Sequence, residues 1–266
     1  MAHPPKGLES SADPGGHPRF LAHHFDTPRQ QFTAGKLGMW IFLVTEVLLF
    51  GGLFCWYAVY RANHPEIFEY AHRYLDKTLG AINTLILITS SLTMAWAVRC
   101  AQLGQRRLLV LCLALTLAGG SGFLGIKYVE YRQKWREGLL WARRFNPKEP
   151  PPAAPAAPKA RLGKPAPAWS PGLTAVPRAL APAATPAQRE PVPQHVGLFF
   201  SIYFMMTGLH GVHVIAGMTA IGWILVRALR GHFGPLYFGP VDFVGLYWHL
   251  VDLVWIYLFP LLYLIH

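Results

Sequence analysis

Five apolar runs of about the ~20 residues that a helix needs to cross a hydrocarbon core leave this chain few ways to fold. They lie at Leu37–Tyr60, Leu79–Val98, Leu108–Ile126, about Gly197–Val226 and Val241–Ile265. Runs of this length suit helices, which close their own backbone hydrogen bonds, whereas a membrane barrel would show short alternating segments. Composition agrees. Apolar residues make up 53% and charged residues 14%, against roughly 25% charged in a soluble domain. The sequence therefore predicts an all-α membrane protein, a five-transmembrane-helix bundle.

The loops between the first and second, second and third, and fourth and fifth spans are short and hold Gly, Asn, Pro and Arg, which predicts antiparallel neighbours. The third connection is long, and its centre reads "PKEPPPAAPAAPKARLGKPAPAWSPG". Proline and alanine without apolar periodicity predict a disordered Pro/Ala-rich loop between helices 3 and 4. The segments are thus a polar tail at 1–36, helices 1–3 at 37–134, the linker at 135–194 and helices 4–5 at 195–266. The tail lacks an apolar core segment, so the first run is expected to direct insertion itself.

The net charge of +11 comes from basic residues lying mostly between the spans, where they meet phospholipid headgroups; no basic, aromatic-interleaved stripe suggests nucleic acid. The tail, second loop and fourth loop hold four, three and two Lys/Arg, against three in the first loop and none after the last span. That bias predicts a cytoplasmic N-terminus. The twelve in the long loop count for little, although Lys127, Arg132 and Lys134 fit the orientation poorly. Cys55, Cys100 and Cys112 have no paired spacing and read as small buried hydrophobes.

Polar residues inside the spans carry the functional signal. Glu46 lies nine residues after Leu37, which at 1.5 Å per residue is ~14 Å into the membrane. A charged carboxylate there costs at least ~2.5 kcal/mol, so Glu46 reads as a proton-exchanging or structural acid facing the bundle or a subunit interface. Thr45 beside it, with Asn83, Thr84, Ser90, Ser91 and Thr93 of the second span, reads as interhelical polar contact. Glu130 and Lys127 are three apart and read as a solvated headgroup-level pair. His210 and His213, also three apart, are read as facing roughly one way, with Gly208 and Gly211 permitting close helix contact. Axial haem ligands sit on opposite sides of the iron, and no carboxylates complete a metal set, so no metal site and no catalytic residue are assigned. Arg227 ends the fourth span, placed for a lipid phosphate or a backbone carbonyl. In "YWHLVDLVWIY", His249 and Asp252 are expected to form a hydrogen-bonded pair on a buried stripe.

The stretches "GMWIFLVTEVLLFGGLF", "NTLILITSSLTMAWA", "GQRR", "YVEY", "TGLHGVHVIAGM" and "YWHLVDLVWIYLFPLLYLI" occur in that order. Together they resemble subunit III of the haem–copper oxidases, in the short five-helix bacterial form of cytochrome c oxidase subunit III. The Pro/Ala-rich insertion lies outside that family's pattern. The resemblance implies a subunit that binds no haem or copper itself and packs beside oxidase subunits I and II, which hold haem a and copper. It further implies phospholipid binding, support of proton uptake and protection during turnover. Glu46 matches the family's intramembrane glutamate and Arg227 a lipid-phosphate arginine. His210, His213, His249 and Asp252 match motif positions with packing and hydrogen-bond roles. Accessory proteins of nitric oxide reductase or of a quinol oxidase share the resemblance. A membrane dihaem cytochrome is the alternative from another class, as is a transporter or proton channel acting alone around Glu46.

Overall fold

A computed structural model describes residues 22, 25–139 and 196–265. Most of the Pro/Ala-rich linker and of the N-terminal tail lies outside them. The protein is all-α among the described residues, with six α-helices: α1 Pro28–Asn63, α2 Pro65–Ala71, α3 Lys77–Gln102, α4 Arg106–Glu137, α5 Val196–Leu229 and α6 Gly239–Tyr263. Five are long and apolar enough to span a membrane, all but α2.

Local chemistry sets the ends. The Thr27 hydroxyl accepts from the Gln30 N–H at 3.1 Å and Pro28 opens the helix, so α1 begins nine residues before the predicted span. Asp76 caps α3 by accepting from Thr78 and Leu79. Gly138, at φ 77°, ends α4 in a left-handed turn with the Leu139 N–H bonded to the Lys134 carbonyl. The helix therefore covers the first three positions predicted as linker.

α3, α4, α5 and α6 close into a four-helix bundle in which each neighbour runs antiparallel. The five spanning helices form as expected, but the first two spans are not the antiparallel neighbours that their short loop predicts. α1 lies outside the square and packs mainly on α6, and the two run parallel: Gly35 meets Phe243, Phe42 meets Tyr247, Phe54 meets Tyr257, and the Tyr57 hydroxyl donates to the Leu261 carbonyl. The first loop makes this possible. It is no simple turn but contains α2, whose Ile67, Phe68, Tyr70 and Ala71 are buried, and whose Phe68 meets Phe199 of α5.

Trp248 of α6 wedges the bundle. Its indole N–H donates to Ser90 of α3 at 3.2 Å. A Cβ on Gly120 of α4 would lie 2.9 Å from its ring, and one on Gly217 of α5 would lie 3.0 Å from it. A side chain at either glycine would force the Trp248 ring to shift. Gly208 and Gly211 do not have the role expected of them, because nothing lies within 4 Å of an added Cβ at either. A GxxG spacing in sequence does not say which side of the helix the neighbour occupies.

Candidate functional site

Glu46 is the polar group deepest in α1, and a residue 167 positions away receives it. Its Oε2 lies 2.8 Å from Nε2 of His213 on α5, and both side chains are 15% exposed. Nδ1 of His213 is 2.8 Å from the Leu209 carbonyl. A carbonyl only accepts, so Nδ1 carries a proton. Nε2 then either donates to a carboxylate, as an imidazolium, or accepts from a protonated Glu46. One proton lies between the two groups on either account, and the membrane-buried acid is never an isolated charge. Phe50 packs edge-on against the imidazole at 5.1 Å, and the Tyr247 hydroxyl donates to the His213 carbonyl at 3.2 Å. Thr45 is exposed and turns back onto the Phe42 carbonyl at 2.6 Å, so it forms no interhelix contact.

His210 and His213 do not share neighbours. Three residues along a helix leave the side chains ~60° apart. His213 turns toward α1, while His210 is fully buried between Phe123, 5.5 Å away, and Trp255, 5.3 Å away. Neither nitrogen of His210 has a hydrogen-bond partner among the described residues, and the same holds for the buried amide of Asn83. Neither residue makes the interhelical bond read from sequence. The bonds are made by their neighbours: Trp255 donates to Thr84 at 3.1 Å, and Thr93 meets Thr116 at 2.8 Å.

His249 and Asp252 do not bond to each other. The Ser91 hydroxyl on α3 meets Nδ1 of His249 at 3.1 Å and lies against Asp252 as well. Oδ1 of Asp252 is buried without a partner. Both side chains lean toward α3, and the serine opposite separates them.

Lys127 and Glu130 are not the solvated headgroup-level pair expected from the sequence. The pair is buried, with Lys127 6% and Glu130 2% exposed. Nζ of Lys127 lies 2.8 Å from Glu130 and 2.7 Å from the Tyr263 hydroxyl. Glu130 Oε1 also accepts from Tyr263 at 2.6 Å and Tyr203 at 2.9 Å. Lys134, equally buried, reaches the same oxygen at 3.5 Å and the Tyr74 carbonyl at 3.4 Å. Lys127 Nζ also sits 4.4 Å from the Trp255 ring. This network ties α4, α5 and α6 together beyond the predicted end of the third span. The sequence did hold a signal for it: Leu109, Leu113, Thr116, Gly120, Phe123, Lys127, Glu130 and Lys134 form one continuous 3.6-residue stripe, buried throughout.

At the opposite end of the bundle, Arg227 holds its guanidinium among the rings of Trp223, Phe233 and Tyr237, at 4.9, 5.6 and 5.8 Å. Arg106, singled out by sequence only as part of "GQRR", caps the same end by donating to the Ala228 and Leu229 carbonyls of α5. Among the described residues no three His, Cys, Asp or Glu converge as a metal site would require.

Residues 192–266, which include α5, α6, His210, His213, His249, Asp252 and Arg227, match the family Cytochrome c oxidase subunit III. Relatives extend the likeness to α1, α3 and α4. The chain is 28% identical over 255 residues to Cytochrome c oxidase subunit 3 of Bacillus subtilis (strain 168), covering 92% of this chain and 95% of that one. Along most of its length the chain is similar to subunit III of the haem–copper oxidases. Two other subunit III relatives frame it. Heme-copper oxidase subunit I+III of Aeropyrum pernix is 27% identical over 91% of this chain and 24% of its own length. Cytochrome bo(3) ubiquinol oxidase subunit 3 of Pseudomonas putida is 25% identical over 86% of this chain and 84% of its own. The five spanning helices and this likeness indicate a multi-pass membrane protein.

Proposed function

We propose that this subunit III is a non-catalytic member of a proton-pumping cytochrome c oxidase of the aa3 or caa3 type in aerobic respiration. It packs on subunit I, binds phospholipid, and sustains proton uptake and stability during turnover. Haem a and copper reside in subunits I and II. The observation that carries this reading is how Glu46 is used: the acid is bridged to His213, and the remaining intramembrane charges tie one helix of this chain to another. The relative named as a fused subunit I+III supports subunit I as the immediate neighbour. Arg227 supports phospholipid binding, because aromatic faces hold its guanidinium at the end of the fourth span, and a guanidinium is a strong donor to phosphate oxygens.

Burial of the α4 lysines supports a cytoplasmic N-terminus in a bacterial inner membrane. Lys127 and Lys134 are paired inside the bundle with Glu130, so they drop out of the loop-charge count that they made awkward. Arg132 and Arg136 remain exposed at that end.

The bo(3) relative favours one second reading, subunit III of a quinol oxidase. A mild-detergent pull-down of the tagged chain, with an optical spectrum and partner identification on the same sample, separates the readings. Haem a together with subunits I and II, and a colourless isolated chain, is the expected result. Haem b with quinol oxidase or nitric oxide reductase subunits would place the chain in another complex. Haem retained by the isolated chain would overturn the accessory role.

A further inference from the structure

We propose that the outer face of α6, between α1 and α3, seats a transmembrane helix of the large catalytic subunit, with His249 as its polar contact in mid-membrane. This rests on the reading that the chain works inside an oxidase complex, and adds which surface meets the partner.

Helix geometry separates two flanks of α6. α1 meets α6 at Phe243, Tyr247 and Tyr257, while α3 meets it at Gly245, Trp248 and Trp255. At 100° per residue these are separate flanks. Between them runs the stripe Asp242, Leu246, His249, Leu253 and Ile256, the last two exposed. The stripe is the floor of a trough whose walls are α1 and α3. Within it lies a groove of about 200 Å³ lined by Ala95, Val98, Asp242, Gly245, Leu246 and His249. Small residues on the α3 side leave room for one large side chain of a neighbouring helix, as a knob enters a hole.

The polar chemistry selects the occupant. Asp242 is already paired with Lys36 of α1 at 3.2 Å. His249 is the eleventh residue of α6, which begins at Gly239, so it lies ~15 Å along the helix, at mid-membrane depth. Ser91 takes its Nδ1. No described residue bonds its Nε2, and that atom is not enclosed by the fold. An acyl chain would fill the groove but leave an imidazole nitrogen unpaired in hydrocarbon. A helix with a hydroxyl, amide or free carbonyl at this level fills the space and completes the bond. Leu92 and Trp96 of α3 with Leu253 and Ile256 of α6 make an apolar rim around that contact.

The test uses the assembled complex purified from membranes. In a Cys55→Ser background, Leu253→Cys carries a short photo-crosslinker, and Leu115→Cys on the exposed face of α4 carries the same group. Position 253 is expected to cross-link to subunit I and position 115 not to. Separately, Ala95→Phe fills the groove from an exposed position and is expected to lower recovered subunit I about tenfold, the scale of an overpacked contact; Leu115→Phe leaves recovery unchanged. Cross-links to subunit I from 115 and not 253, label found in phospholipid at 253, or full recovery with Ala95→Phe would each overturn the proposal while leaving the accessory-subunit reading intact. If the unmodified chain recovers no oxidase subunit, that broader reading fails, and the docking face with it.

Discussion

Glu130→Gln should damage this protein more than any change at its membrane-facing surface. Glu130 is the single carboxylate between Lys127 and Lys134, and it accepts from both Tyr203 and Tyr263. Glutamine nearly preserves shape and can still accept from one tyrosine. It removes the carboxylate that both lysines reach, however, and leaves two buried ammonium groups facing it. Breaking a buried pair by removing one partner costs ~3–5 kcal/mol, and all three charged residues here are at most 6% exposed, so little screening reduces that figure. For a chain of this size the loss corresponds to a fall of roughly 6–20 °C in melting temperature. The assay is thermal stability in mild detergent, followed by size-exclusion of a fluorescent fusion and by tryptophan emission, since Lys127 lies over Trp255. Adding Lys127→Met should recover part of the loss, because the double variant buries one fewer unpaired cation. A Glu130→Gln protein that melts with the unmodified chain, or a double variant no better than the single, would show that the network is not holding α4, α5 and α6 together.

Four further outcomes are expected. Glu46→Ala should leave the initial rate of oxygen consumption largely intact in an assembled complex while shortening its working life; an abolished initial rate would count against the accessory role. Gly120→Val should destabilise by ~1–3 kcal/mol through collision with Trp248 and Met218, whereas Gly208→Ala, with open space around it, should be neutral or stabilise by up to ~1 kcal/mol; detergent melts of the two variants compare them directly. Arg106→Leu removes two donors from the end of α5 and should cost roughly 1 kcal/mol, visible as faster hydrogen exchange at residues 226–231. Burial holds the His72 imidazole below its ordinary value in the loop outside the membrane. The unfolded chain therefore binds that proton more readily, so its contribution is complete above the ordinary histidine value and is lost as pH falls through it. His72→Gln should flatten melting temperature between pH 7.5 and 5, and an unchanged slope would refute the assignment.

Much of the architecture is legible in the chain alone because the membrane makes it a local problem. Hydrocarbon thickness sets the length of each apolar run, and a helix closes its own backbone bonds, so the five spanning helices follow from segments read one at a time. The family motifs are legible for the same reason, since they are short and contiguous. Facing is not. Lipid is as apolar as the bundle core, so the stripes that face them differ little in hydrophobicity. Nothing in α1 alone says that Glu46 meets His213, nor that α1 lies outside the square on α6. The two Lys and one Glu after Ile126 read as headgroup charges until the Tyr74 carbonyl, Tyr203 and Tyr263 are in place around them. His249 and Asp252 read as a pair until Ser91 of α3 stands between them. The sequence by itself determined which segments cross the membrane. Only the tertiary structure decided which polar side chains are partners, because that depends on the rotation of each helix against neighbours distant in sequence.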